Sequence, residues 1–106
     1  MVRPRKCRMI WQMPYVTYFK PRGIPMRGLE EVNLNCEEME AIRLKDVEGL
    51  SQEEAAGRMN ISQPTFYRIL LSARKKVADA LVNGKAIEIK GGNFVMGQYR
   101  HRGGRI

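Results

Sequence analysis

The chain has little of what metal or nucleophilic chemistry requires. Among its 106 residues are two cysteines, Cys7 and Cys36, and one histidine, His101. The cysteines have neither the spacing of a zinc pair nor histidine neighbours, so no thiolate–imidazole centre can be assembled from them. A single histidine leaves no Ser/His/Asp set, and no glycine run has the spacing of a phosphate-cradling loop. Glu37, Glu38 and Glu40 are close together, but a solvated helix N-terminus and its dipole account for them without a catalytic pair of carboxylates. No apolar stretch reaches signal-peptide length or spans a bilayer. These absences argue against a catalytic site, a metal, a cofactor and a membrane partner, and hence against an enzyme. Two thiols suit a reducing cytoplasm. The length allows one domain.

Acidic charge is missing from both ends of the chain. Residues 1–28 hold seven Lys/Arg and no Asp/Glu, residues 29–59 three basic and nine acidic, and residues 60–106 nine basic and two acidic, giving a net charge of +8. Such a distribution offers one face to phosphate and leaves an acidic middle for solvent or a basic protein surface.

What is present centres on residues 50–81, which read as two helices joined by a tight turn. Ser51 is an N-cap with Glu54 as its capping-box partner. Ala55, Ala56 and Met59 form a small apolar face. Asn60 stands where the chain must turn sharply and tolerates the left-handed conformation. Ile61 fills the angle between the helices, Ser62 caps again, and Pro64 falls in the first turn of the next helix. That helix, about 63–81, has an inner face of Phe66, Ile69, Leu70, Ala73, Val77 and Leu81. Upstream, residues 35–50 form a third helix, capped by Asn35 with Glu38 and ended by Gly49, with Met39, Ala41, Ile42 and Leu44 on its apolar face.

A helix-turn-helix places the N-terminal part of its second helix against base edges. Gln63 and Arg68 are then the candidate base readers, because glutamine pairs with adenine and arginine with guanine through two hydrogen bonds each. Ser62, Thr65 and Tyr67 suit phosphate or sugar contacts. Arg74, Lys75 and Lys76 lie further along and suit the backbone. An ordinary amphipathic helix with a solvated basic face is the simpler alternative.

Residues 34–83 resemble region four of bacterial sigma factors and the related LuxR-type domains, through EGLSQEEAA, the turn NIS and the basic exit SARKKVADAL. Gly57 and Arg58 depart from that pattern, which usually has a helix former and an apolar residue there. With RPRKCR, VTYFKPRGIP and SARKKVADALVNGKAIEI, the likeness extends over most of residues 3–93. The chain looks like a member of a family of small prokaryotic predicted DNA-binding proteins. That resemblance implies a sigma-region-four-like helix-turn-helix. It also implies that some members carry a further C-terminal domain resembling nitrogenase-cofactor-binding proteins, before which this sequence ends.

The flanks are less regular. Arg3, Arg5, Lys6 and Arg8 surround Pro4 in an extended basic arm, which can enter a minor groove or simply attract phosphate. In 9–28, MIWQM suits a short strand, and prolines then break regular structure. Trp11, Tyr15, Tyr18 and Phe19 are expected to cover the small core rather than stack on bases. AIEIK at 86–90 alternates as a strand does and can pair with residues 8–13 or with a second protomer. Residues 92–106 read as a flexible basic tail.

The expected fold is therefore mainly α: a basic arm and extended segment over 1–33, a three-helix helix-turn-helix core over 34–83, a short strand in 84–91, and the tail. The expected function is cytoplasmic, sequence-specific binding of double-stranded DNA by a transcriptional regulator. A homodimer is expected, touching through Leu71 and the strand 86–90, since one domain makes too few base contacts for specificity. Two alternatives stand beside it. One is a protein-interaction module meeting RNA polymerase or another protein through the acidic helices 30–54. The other is RNA binding through the basic termini.

Overall fold

The computed structural model describes residues 8–97. Strand β1 is Arg8–Ile10, β2 Tyr18–Phe19 and β3 Glu31–Leu34; α1 is Cys36–Ile42, continued by one π-helical turn over Arg43–Val47; α2 is Gln52–Met59, α3 Gln63–Asn83, β4 Ala86–Ile89 and β5 Phe94–Met96.

Each helix begins where a side chain satisfies an orphan backbone donor. Asn35 Oδ1 accepts from Glu38 N–H at 2.8 Å while Glu38 Oε1 accepts from Asn35 N–H at 3.0 Å, a closed capping box. Ser51 and Glu54 repeat the device on α2. Ser62 Oγ accepts from Thr65 N–H at 3.3 Å at the start of α3, with Pro64 in the first turn. The π turn closes as Glu48 N–H reaches Arg43 O at 2.8 Å. Asn60 ends α2 at φ 60, ψ 44, and Ile61 N–H then reaches back to Ala56 O at 3.1 Å. Gly57 and Arg58, the departures from the sigma-factor pattern, sit on the exposed side of α2, and a Cβ added to Gly57 would meet nothing.

Two apolar clusters hold these elements together. Ala41, Leu44, Ala55, Ala56, Met59, Phe66 and Leu70 form one where α1, α2 and α3 meet. Phe66 and Leu70 are fully buried, and truncating Phe66 to alanine costs about 3–5 kcal/mol at such sites. Leu34, Ala73 and Ile89, with Met39, Ile42, Val77 and Ile87 against them, join the sheet to α1 and α3. At the far end of α3 the inner residue is Ala80, whereas Leu81, expected inside, is 76% exposed. There α3 faces Phe19, Lys20, Pro21 and Ile87, of the sheet and the loop after β2.

The strands are paired differently from the expectation. β4 does not join residues 8–13. It runs antiparallel to β2 and parallel to β3, in the order β2-β4-β3. Both its edges are thus hydrogen-bonded within the chain, so it cannot pair with a second protomer. Residues 8–10 pair instead, in parallel, with 94–96. The segment expected to loosen after Gly91 therefore carries β5, and only the part of the expected tail beyond residue 97 lies outside the described residues. Trp11 Nε1 donates to Arg58 O at 2.8 Å, and the Tyr18 hydroxyl donates to Glu31 Oε2 at 2.6 Å. Tyr15, expected to cover the core, is 92% exposed, and Phe19 is half-exposed.

Candidate nucleic-acid interface

The turn Asn60–Ser62 turns the start of α3 outward while Phe66, Leu70 and Ala73 anchor its opposite side in the core. Gln63, Tyr67, Arg68, Leu71, Ser72, Arg74 and Lys75 are exposed. The two candidate base readers are five residues apart, about 140° round a helix of 3.6 residues per turn. Gln63 therefore lines up with Tyr67 on one flank, and Arg68 with Thr65 and Ser72 on the other.

The Arg68 flank borders a cleft of about 260 Å³ lined by Arg8, Asn35, Glu37, Glu38, Thr65, Arg68, Ile69 and Ser72. Three carboxylates of α1, two of them in its lining, are not solvated. Glu37, Glu38 and Glu40, read from sequence as a solvated helix start, are 7%, 5% and 1% exposed. Glu38 takes the Ser72 hydroxyl at 2.6 Å and Lys76 Nζ at 2.8 Å in addition to its capping role. Glu37 takes Asn93 N–H at 2.7 Å and lies 3.7 Å from Arg8 Nη1. Glu40 takes Trp11 N–H at 2.8 Å and both Nε and Nη2 of Arg43. Each carboxylate ties α1 to a different segment: α3, the β1–β5 pair, or the chain after β1. Burial is tolerable because every one is hydrogen-bonded and faces a cation. An acidic docking face loses these three side chains.

The basic residues divide in consequence. Lys76 is neutralised by Glu38, and Arg74 by Asp46, whose Oδ2 lies 3.1 Å from Arg74 Nε. That pair holds the Asp46 carboxyl below its ordinary value and raises the Arg74 guanidinium above its own, the hydrogen bond being the main cause in both. Of the three cations expected on the phosphate backbone, Lys75 alone stands outside an ion pair among the described residues. Ser62 is spent on capping and on Thr65. Arg8, expected in the free arm, belongs to β1, and its Nε is buried without a hydrogen-bond partner. Arg3, Arg5 and Lys6 lie outside the described residues.

Two features escaped the sequence reading. Arg58 is exposed on α2 next to the turn. Its position was legible as a break in an apolar pattern. The Glu38–Ser72–Lys76 cluster joins residues 34 and 38 positions apart, and no local spacing signals it. Among the described residues no group of three or more His, Cys, Asp or Glu could hold a metal ion. Cys36 is buried, and that burial followed by Glu37 raises its thiol pKa. No described helix is long and apolar enough to cross a membrane.

A family model described as a protein of unknown function, DUF134, matches residues 1–97. The chain is 60% identical over 105 residues to a UPF0251 protein of Thermoanaerobacter sp., covering 99% of this chain and 93% of that one. It is 61% identical over 99 residues to a UPF0251 protein of Pelotomaculum thermopropionicum, covering 93% and 75%. A third, from Caldanaerobacter subterraneus, is 58% identical over 112 residues, covering 98% and 95%. No solved structure matches the chain.

Proposed function

The chain belongs to the DUF134 family of prokaryotic proteins, and we propose that it binds double-stranded DNA sequence-specifically and regulates transcription. Its helices α2 and α3 act in this reading as a helix-turn-helix of the sigma-region-four kind, with α3 as recognition helix. One observation carries the reading. The first two turns of α3 present Gln63 and Arg68 outward, while Phe66 and Leu70, between and beyond them, are fully buried.

A B-form major groove admits a helix, so both flanks of an inserted α3 meet base edges. Gln63 reads on one side and Arg68 on the other. Lys75 supplies the backbone charge on α3, Tyr67 a further contact about two turns earlier, and Arg58 adds one from α2. The reading includes no catalysis, cofactor or membrane partner, and it sets the protein in the cytoplasm. Two copies on adjacent half-sites would supply the specificity that one domain lacks. Leu71, at 44% exposure, stays available to such a dimer.

The test is selection of bound fragments from random duplexes at near-physiological salt, with wild type and Arg68→Ala in parallel. A recovered motif that loses one base preference in the variant is the expected result. The reading fails if Arg68→Ala, still folded, keeps the affinity and the motif of the wild type. Binding without any motif, collapsing as salt rises, would reduce the interaction to phosphate attraction.

A further inference from the structure

Ser62, Thr65 and Arg68 are joined by hydrogen bonds along the exposed start of α3. The Ser62 hydroxyl donates to Thr65 Oγ1 at 3.0 Å, and Thr65 N–H donates back to Ser62 Oγ at 3.3 Å. Arg68 Nη2 donates to the same Thr65 Oγ1 at 3.3 Å. A hydroxyl oxygen has two lone pairs. Both lone pairs of Thr65 Oγ1 are therefore filled, one of them by the serine that caps the helix. Branching leaves a helical threonine two χ1 rotamers, and the Ser62 bond holds the one seen here. The long, flexible arginine is thus tethered to a point that the helix start itself holds in place. The tether draws the guanidinium three residues back, towards the end of α3 that a groove receives first.

Nearby carboxylates do not compete for it. Glu38 is engaged by Asn35, Ser72 and Lys76 and Glu37 by Arg8 and the Asn93 N–H, and among the described residues neither forms an ion pair with Arg68.

We infer that Thr65 is a positioning residue, not a phosphate contact, and that it sets Arg68 to select guanine. This rests on the DNA-reading role proposed above. The guanidinium has five hydrogens and two edges that each present a parallel pair, Nη1 with Nη2 and Nε with Nη2. One Nη2 hydrogen goes to Thr65. Whichever hydrogen it is, one two-hydrogen edge is spent and the other stays whole. The direction in which the fork faces is thereby fixed. Guanine offers that edge two acceptors, O6 and N7, whereas adenine sets the N7 acceptor beside a donor. The tether therefore converts a mobile cation into a discriminating one.

The experiment compares the full-length wild type, Thr65→Val, Thr65→Ser and Arg68→Ala in the same duplex selection, followed by titrations at several salt concentrations. Valine keeps the branched shape and the N–H that Ser62 caps, but removes the acceptor. Loss of one exposed hydrogen bond to a charged group predicts a fall of about three- to tenfold in preference for guanine. It falls at the base pair that Arg68→Ala also affects. Preference elsewhere and the salt slope stay as in wild type, and Thr65→Ser restores the preference. A Thr65→Val motif identical to wild type overturns the inference and leaves the DNA-reading role standing. A loss of affinity that is uniform across all sequences overturns it too, since that marks a phosphate contact. A wild type with no motif defeats the DNA-reading role and this inference with it.

Discussion

Removing the Glu38 carboxylate tests the most unexpected part of the structure. Its side chain is 6% exposed and accepts three hydrogen bonds from outside its own residue: Asn35 N–H at 3.0 Å, the Ser72 hydroxyl at 2.6 Å and Lys76 Nζ at 2.8 Å. In Glu38→Ala the cap donor of Asn35 is left part-buried, at about 1 kcal/mol. Ser72 and Lys76 can turn to water, so each loses about 0.5–1 kcal/mol rather than the full value of a buried charged pair. The vacated methylenes add about 1 kcal/mol. Relief of carboxylate desolvation acts the other way. The balance is a loss of about 2–4 kcal/mol, or a Tm lower by about 10–20 °C in a domain of this size. Urea unfolding of wild type, Glu38→Ala and Glu53→Ala measures it, with a shift in midpoint and no change in slope. Glu53 is exposed in the first turn of α2, and its loss is expected to stay within about 0.5 kcal/mol. Equal effects of the two substitutions would refute the account of Glu38 as a buried junction. Glu38→Gln adds a functional arm. It keeps an amide oxygen for the cap but frees the charge of Lys76, so the salt slope of DNA binding steepens by about 0.9 if that lysine then reaches a phosphate.

Further outcomes follow from the same geometry. Asn60→Ala keeps a Cβ at φ 60 but removes the polar side chain that lets asparagine tolerate it, and is expected to lower stability by about 1 kcal/mol in urea unfolding, while Asn60→Gly is neutral within a few tenths. Lys75→Ala reduces the salt slope of DNA binding by about 0.9, and Lys76→Ala and Arg74→Ala reduce it less, because Glu38 and Asp46 already neutralise them. Tyr18 is pushed up to about 12, first by its hydrogen bond to Glu31, then by desolvation and by the charges of Glu31 and Glu88. Its folded pKa lies above the ordinary 10.0, so the stability it contributes is complete below pH 10 and is lost as pH rises towards 12. Alkaline titration followed by tyrosinate absorbance should show one late-ionising tyrosine that Tyr18→Phe removes. Its absence would disprove the Tyr18–Glu31 bond.

Local chemistry was legible in the chain because it acts within three or four residues. Asn35 with Glu38, Ser51 with Glu54, Ser62 before Pro64, and left-handed Asn60 all do what their side chains dictate, and the helices start and stop there. The apolar period placed Phe66, Leu70 and Ala73 inward with their neighbours. The same period misplaced Leu81, since spacing reports which residues share a face but not how far a partner element extends along it. The exposed positions of Gln63 and Arg68 were readable as the complement of that face.

The caps, the turn, the three helices and the uneven charge were thus determined by the sequence itself, through contacts between near neighbours. Tertiary structure decided the rest. It buried Glu37, Glu38 and Glu40, silenced Lys76 and Arg74, set Arg8 beside α3, and made AIEI the centre of a sheet whose edges are 18–19 and 31–34. A carboxylate at a helix start is equally at ease in water or against a cation. Which it meets depends on backbone and side-chain groups 29 to 56 residues away, and no local periodicity encodes that distance.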